Sequence, residues 1–126
     1  MRRTEQRRKA IFALYQEDVT RRPARGLLAP TDRAFTFELV EGVVAERPEL
    51  DALIERHSKG WTLDRIAPLE RNIMRVALYE MLHREDVPRE VAIDEAVEAA
   101  KELCGADAPK FVNGVLAAAD RAQAAA

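Results

Sequence analysis

The stretch Pro68–His83, PLERNIMRVALYEMLH, decides how this chain folds. At helical spacing Leu69, Ile73 and Val76 point to one side, Met74, Leu78, Met81 and Leu82 to the other, and Tyr79 lies between them. A helix that is apolar on nearly every side cannot lie on a surface with one face wet, so it predicts a central rod with other helices packed around it. Pro68 suits the first turn, where its missing N–H would have had no intrahelical partner. Glu80 falls on the Leu69, Ile73 and Val76 side and needs a partner there, with Arg75 or Arg71 as candidates.

Towards the C-terminus, a turn around Pro88 leads to a narrow seam of small residues, Ile93, Ala96, Val97, Ala100 and Cys104, which Gly105 ends. Asp107 is placed to cap a last helix with Pro109 in its first turn and Phe111, Val115 and Leu116 on its buried face. Gly114 inside that helix suggests close approach of another backbone, and the alanine-rich tail from Ala117 is expected to fray.

Towards the N-terminus, Thr4 to Asp18 reads as a helix with Ile11, Leu14 and Tyr15 on its stripe, followed by a loop from Val19 to Thr31. Asp32 can cap the next helix, in which Phe35, Leu39 and Val43 recur and Gly42 suggests a close helix crossing. Pro48 is expected to stop that helix and open another, marked by Leu50, Leu53, Ile54 and a half-buried structural His57 and ended by Gly60. Trp61 to Ala67 then forms a linking turn anchored by Leu63 and Ile66. Trp61 could be an exposed stacking platform, but a hinge residue packed between lobes is the commoner use of so large an apolar surface. No strand-like alternation occurs. The expectation is an all-α single domain of about seven helices in two small lobes, 1–60 and 61–126, around the central helix.

The 126 residues suffice for one domain with a proper core. The overall charge of −2 hides an asymmetry. Through Arg25 there are eight basic residues (Arg2, Arg3, Arg7, Arg8, Lys9, Arg21, Arg22 and Arg25) against Glu5, Glu17 and Asp18, a net +5, leaving −7 for the remainder. A basic arm on an acidic body is the usual layout of an anion-binding segment, although such residues can simply solvate a helix start. No apolar run is long enough to span a bilayer, and no signal peptide follows the N-terminal charges, so a cytoplasmic protein without a membrane partner is expected. Cys104 is the only cysteine, which excludes an internal disulfide and a thiolate zinc cluster.

The usual constellations of catalysis are missing. There is no glycine-rich phosphate loop and no HExxH, and the single serine, Ser58, adjoins His57 on a helix, where neighbours do not face each other. A di-metal bundle would need paired Glu-x-x-His motifs, and Glu80–His83 is the one match; Asp94, Glu95, Glu98 and Glu102 read as a solvated acidic face. No catalytic residue, metal or cofactor is therefore expected. The arginine arm remains, with Tyr15 further along the same helix and Lys110–Phe111 near a capped helix start. Guanidinium groups for phosphate and rings for bases are what single-stranded RNA binding uses.

The segments RRKAIFALYQED, WTLDRIAPLERNIMRVALYEML, EVAIDEAVEAAKEL and APKFVNGVL, in this order, resemble the NusB family of bacterial transcription antitermination factors over essentially the whole chain. KFVNGVL and RVALYEML are the most specific of these stretches. The resemblance implies two helical lobes and no catalysis. It also implies binding of boxA-type nascent RNA together with NusE, a ribosomal small-subunit protein, and indirect contact with other Nus factors and RNA polymerase on ribosomal RNA operons. Carried onto this sequence, it implies RNA contacts at Arg2, Arg3, Arg7, Arg8 and Tyr15 and at Asp107, Lys110 and Phe111, and a partner surface at Glu70 with Arg71 and Met74. Thr4, Glu5 and Gln6 interrupt the arginines, so weak RNA binding alone and stronger binding with NusE are expected. Two other readings are a non-catalytic adaptor of the kind fused to RNA methyltransferases and a homodimer that hides the RNA surface.

Overall fold

A computed structural model describes residues 2–125 of the chain. Five α-helices make up the fold among these residues: α1 (Arg3–Thr20), α2 (Ala34–His57), α3 (Pro68–His83), α4 (Arg89–Leu103) and α5 (Ala108–Ala125). Two short 3-10 turns, Ala24–Leu27 and Leu63–Arg65, sit in the connections before α2 and α3. The helix α3 is the predicted central rod: it packs against α1, α2, α4 and α5, and Asn72 to Leu78 are all buried. Pro68 opens it as expected.

The count is lower than the expected seven helices in part because Pro48 does not break α2, which runs through it for 24 residues. An interior proline costs about 3 kcal/mol or more in a helix. Here Val40 and Val43 before it and Leu50, Leu53 and Ile54 after it are all buried on one stripe, and that burial outweighs a missing hydrogen bond at an exposed position. Asp32 does not cap α2. Its carboxylate instead accepts from the Ala29 N–H (2.7 Å) and from Lys9 (2.6 Å), and Arg33 occupies the cap position without a side-chain bond. The alanine tail also stays helical to Ala125, because Ala119 is fully buried and Arg89 Nη1 donates to Asp120 at 2.9 Å.

Gly42 marks a close crossing, as its sequence position suggested. A Cβ there would overlap the ring of Tyr79, which stacks on His83 with centroids 5.3 Å apart. Gly114 does not: a Cβ at that position would meet nothing within 4 Å.

Buried polar residues hold the register of the rod. Glu80 is paired not by Arg75 or Arg71 but by Arg7 of α1, whose Nε reaches both carboxylate oxygens (3.1 and 2.9 Å) and whose Nη2 reaches Oε1 (2.8 Å). The side chains of Arg7 and Glu80 are 6% and 1% exposed. At the other end of α3, Asp18 accepts from Arg71 (3.2 Å), Asn72 (2.8 Å) and Arg75 (2.9 Å). Arg75 also donates twice to Asp51 of α2, at 2.7 and 3.0 Å. These pairs make α1 antiparallel to α3 and tie the rod to α1 and α2 at fixed positions.

Candidate nucleic-acid interface

The residues expected to carry the arm lie along α1 and fall on different faces. Arg2 is exposed and forms no ion pair among the described residues. Arg3 pairs with Asp86 in the turn before α4 (3.1 Å) and lies over the ring of Phe35, 4.3 Å from its centroid. Hydrogen bonds from Arg84 and then Arg3 hold the Asp86 carboxyl well below the usual carboxylate range. Arg7 is a correction to the expected arm. It continues the apolar line of Ile11 and Leu14 into the core, where Glu80 and, at 3.5 Å, Glu95 neutralise it; a phosphate could reach it only by breaking the buried pair.

Arg8 lies on the neighbouring face, where Nη2 approaches Oε2 of Glu102 at 2.6 Å. Glu102 stands in the last turn of α4, so Arg8 reaches the end of the helix that leads into Asp107, Lys110 and Phe111 at the start of α5. Tyr15 follows two helical turns after Arg8 on the same side of α1, about 10 Å along the axis, and is half-buried. The acids of α4 are not simply a solvated face: Glu95 and Glu102 bind α1, with Glu95 also accepting from Thr4 at 2.7 Å.

At the start of α5, Asp107 and Lys110 are exposed and Phe111 is half-buried. Phe111 and Trp61 together separate two hollows. One, of about 320 Å³, is lined by Arg65, Glu70 and Asp107 along with apolar groups. The other, of about 480 Å³, is lined by Lys59, Lys110 and Arg121 and contains no carboxylate. Trp61 is 51% exposed, so it is not the packed hinge expected of it.

The expected partner surface is likewise divided. Glu70 is half-buried in the first hollow, where burial pushes its carboxyl above the ordinary value. Burial, followed by the Glu70 charge, also raises the nearby Cys104 thiol. Met74, by contrast, is fully buried. Arg71 is committed inwards, with Nη1 donating to the carbonyls of Leu63 (3.0 Å) and Ile66 (3.3 Å) as well as Nε to Asp18. Neither offers a free surface: one sits in the core, and the other fastens the linker to α1.

Lys59 and Arg121 were not singled out by sequence reasoning. A signal was present, since Lys110, Gly114, Ala118 and Arg121 recur at helical spacing and all line the second hollow. Among the described residues, Glu46, Glu49 and His83 form the one group with metal-ligand spacing, and it is exposed or half-exposed.

Fold and surface together define a small all-α protein that sets unpaired cations beside aromatic rings at the end of a helical bundle. The chain belongs to the NusB family, whose model matches residues 4–121. It is 48% identical over 127 residues to the transcription antitermination protein NusB of Rubrobacter xylanophilus, an alignment covering 95% of this chain and 91% of that one. It superimposes on NusB from T. maritima with a TM-score of 0.85 at 32% identity, over 96% of this chain and 92% of the other. A crystal structure of antitermination factors NusB and NusE in complex with dsRNA contains a chain that matches with a TM-score of 0.79 at 27% identity, over 97% of this chain and 99% of that one. No helix among the described residues is long and apolar enough to cross a membrane.

Proposed function

We propose that this chain is a cytoplasmic, non-catalytic antitermination factor. It binds boxA-type nascent RNA together with NusE, promotes processive transcription of ribosomal RNA operons, and meets other Nus factors and RNA polymerase through that assembly. Family membership supports the role, and a solved relative is in complex with NusE and RNA. The observation that carries the site is the contact of Arg8 with the last turn of α4. It ties the basic side of α1 to the end of the helix that precedes Asp107, Lys110 and Phe111, which supports a strand path from Arg8 towards that segment. On this reading Arg2, Arg3, Arg8 and Tyr15 form the α1 part of the RNA surface, and Arg7 holds that helix in place from inside. Glu70, half-buried and without an ion pair among the described residues, is the partner contact, and it suits a cationic side chain from NusE. Residues 1–60 and 61–126 serve as the two lobes joined by this arrangement.

The test is fluorescence anisotropy with boxA and scrambled RNA, each with and without NusE, across a range of NaCl concentrations. NusE should raise both affinity and discrimination. Arg8→Ala should flatten the plot of log K against log salt by about 0.7, the contribution of one phosphate contact on a single strand. An unchanged slope would remove α1 from the interface.

A further inference from the structure

The second hollow extends the RNA surface past the residues just assigned. Its floor is one face of α5, where Lys110, Gly114 and Arg121 follow one another, and its rim is the turn after α2 that carries Lys59 and Trp61. Lys59 is held there in the left-handed region (φ 51°), followed by Gly60 at φ 91°. The chemistry of the lining is distinctive. Nine arginines elsewhere on this molecule face carboxylates, namely Arg3, Arg7, Arg8, Arg25, Arg47, Arg71, Arg75, Arg84 and Arg89, whereas Arg2, Arg21, Arg22, Arg33, Arg56 and Arg65 form no ion pair among the described residues but do not line this groove. Lys59, Lys110 and Arg121 form no ion pair among the described residues, and no acidic residue lines the space between them. Two aromatic faces, Trp61 and Phe111, stand at the same opening, and Gly114 leaves the floor clear because no side chain projects from it. His57 also lines the hollow, and its Nε2 is buried without a hydrogen-bond partner.

We propose that this groove takes one unstacked nucleotide of single-stranded RNA, its base against Trp61 or Phe111 and its flanking phosphates on Lys59 and Arg121. The inference rests on the RNA-binding reading above and deepens it by adding a subsite. An isolated cationic patch would suit any anion. Cations interleaved with one exposed and one half-buried ring, in a hollow of about 480 Å³, suit a flat aromatic base carried on a charged backbone. The absence of carboxylates removes the internal competitors that Arg3 and Arg8 must be drawn away from.

Trp61 is the only tryptophan of the chain, so a single resonance reports on the wall between the two hollows, and assembly with NusE before the titration leaves RNA as the one variable. The chain is labelled with 5-fluorotryptophan, assembled with unlabelled NusE, and titrated with boxA RNA carrying several flanking nucleotides on each side. Anisotropy and the single ¹⁹F resonance are read in parallel. The resonance should shift along the same binding curve as the anisotropy. Trp61→Ala should weaken binding about tenfold, as loss of one stacked base does. Lys59→Ala with Arg121→Ala should flatten the salt slope by about 1.4. Gly114→Leu fills the groove without meeting protein atoms at its Cβ; it should block the shift while leaving the urea midpoint within the range of the exposed double variant. RNA binding with an unmoved ¹⁹F resonance and a double variant equal to the parent overturns the subsite and leaves the α1 interface standing. An equal shift with a poly-glutamate peptide at matched ionic strength also overturns it, because the groove then takes acidic protein. Failure of every RNA to bind overturns the underlying reading as well.

Discussion

Replacing Glu80 with alanine tests whether Arg7 belongs to the core or to the RNA arm. The substitution removes three hydrogen bonds from a guanidinium that is almost sealed from solvent. Taking one partner from a buried pair costs about 3–5 kcal/mol, because the remaining charge stays desolvated. Glu95, at 3.5 Å from Nη1 and 21% exposed, keeps part of the compensation, which puts the expected loss near the lower figure, about 3 kcal/mol. Against a typical total of about 5–15 kcal/mol for a domain, that is a large fraction. Urea unfolding followed by circular dichroism at pH 7 should therefore show a lower midpoint with an unchanged slope. The loss should hardly respond to NaCl, since screening acts weakly on buried charges.

Two further variants separate charge from packing. Glu80→Gln keeps the volume and one acceptor oxygen, and should lose about 1.5–3 kcal/mol, the value of hydrogen bonds to a charged group. Arg7→Met combined with Glu80→Leu removes both charges and fills the space, and should recover most of the stability lost in Glu80→Ala. A Glu80→Ala chain within 1 kcal/mol of the parent would refute the buried pair, as would a double variant no more stable than the single one.

Gly42→Ala should destabilise by about 1–2 kcal/mol through overlap with Tyr79, yet become stabilising by up to about 1 kcal/mol in a Tyr79→Ala background, where only the helix propensity gain remains. Denaturant midpoints of the four chains decide this, and equal effects in both backgrounds would deny the contact. Burial alone would raise the Asp18 carboxyl, but the Asn72 amide, Arg75 and Arg71 hold it below its ordinary value. Its stabilising contribution is therefore present above the unfolded value of about 3.9 and lost as pH falls through the folded one. Asp18→Asn should lower the urea midpoint at pH 7 and differ progressively less from the parent below about pH 4; a gap constant over that range would contradict the sign.

The central helix was legible because its apolar residues leave no wet face, and the packing of α1, α2, α4 and α5 around Asn72–Leu78 is the consequence. Pro48 and the Ala117–Ala125 tail depart from expectation for a common reason: local propensity argues for a break or fraying, while burial of Leu50 and Ile54, and of Ala119, decides otherwise. For Glu80, helical spacing points to Arg75 and Arg71 of its own helix, but the partner is Arg7. It lies 73 residues away in the sequence, and no local pattern encodes a pairing between helices. Arg7 was legible as part of a line but not as buried, because arginine next to an apolar stripe reads the same whether the stripe ends at a rim or meets a carboxylate. Met74 and Arg71 failed as surface residues on the same ground, since an all-round apolar helix leaves few positions for a partner to touch.

Two kinds of arginine follow from this distribution. Arg7, Arg71 and Arg75 face carboxylates inside the bundle and fix where α1, α2 and the linker lie against α3. Arg3 and Arg8 face carboxylates that are themselves about half exposed or more, Asp86 and Glu102. Exposed pairs contribute only about 0–1 kcal/mol each, so an RNA phosphate can replace such a carboxylate at small cost, whereas displacing Glu80 from Arg7 would cost several times as much. The same residue type thus builds the scaffold where its partner is buried and remains exchangeable where its partner is wet. Exchange at Arg8 releases Glu102 as a free anion beside the strand, while Asp86 keeps its pair with Arg84, and the residual repulsion from Glu102 is a physical reason for α1 alone to bind RNA weakly. Lys59, Lys110 and Arg121, which have no carboxylate to give up, carry no such cost.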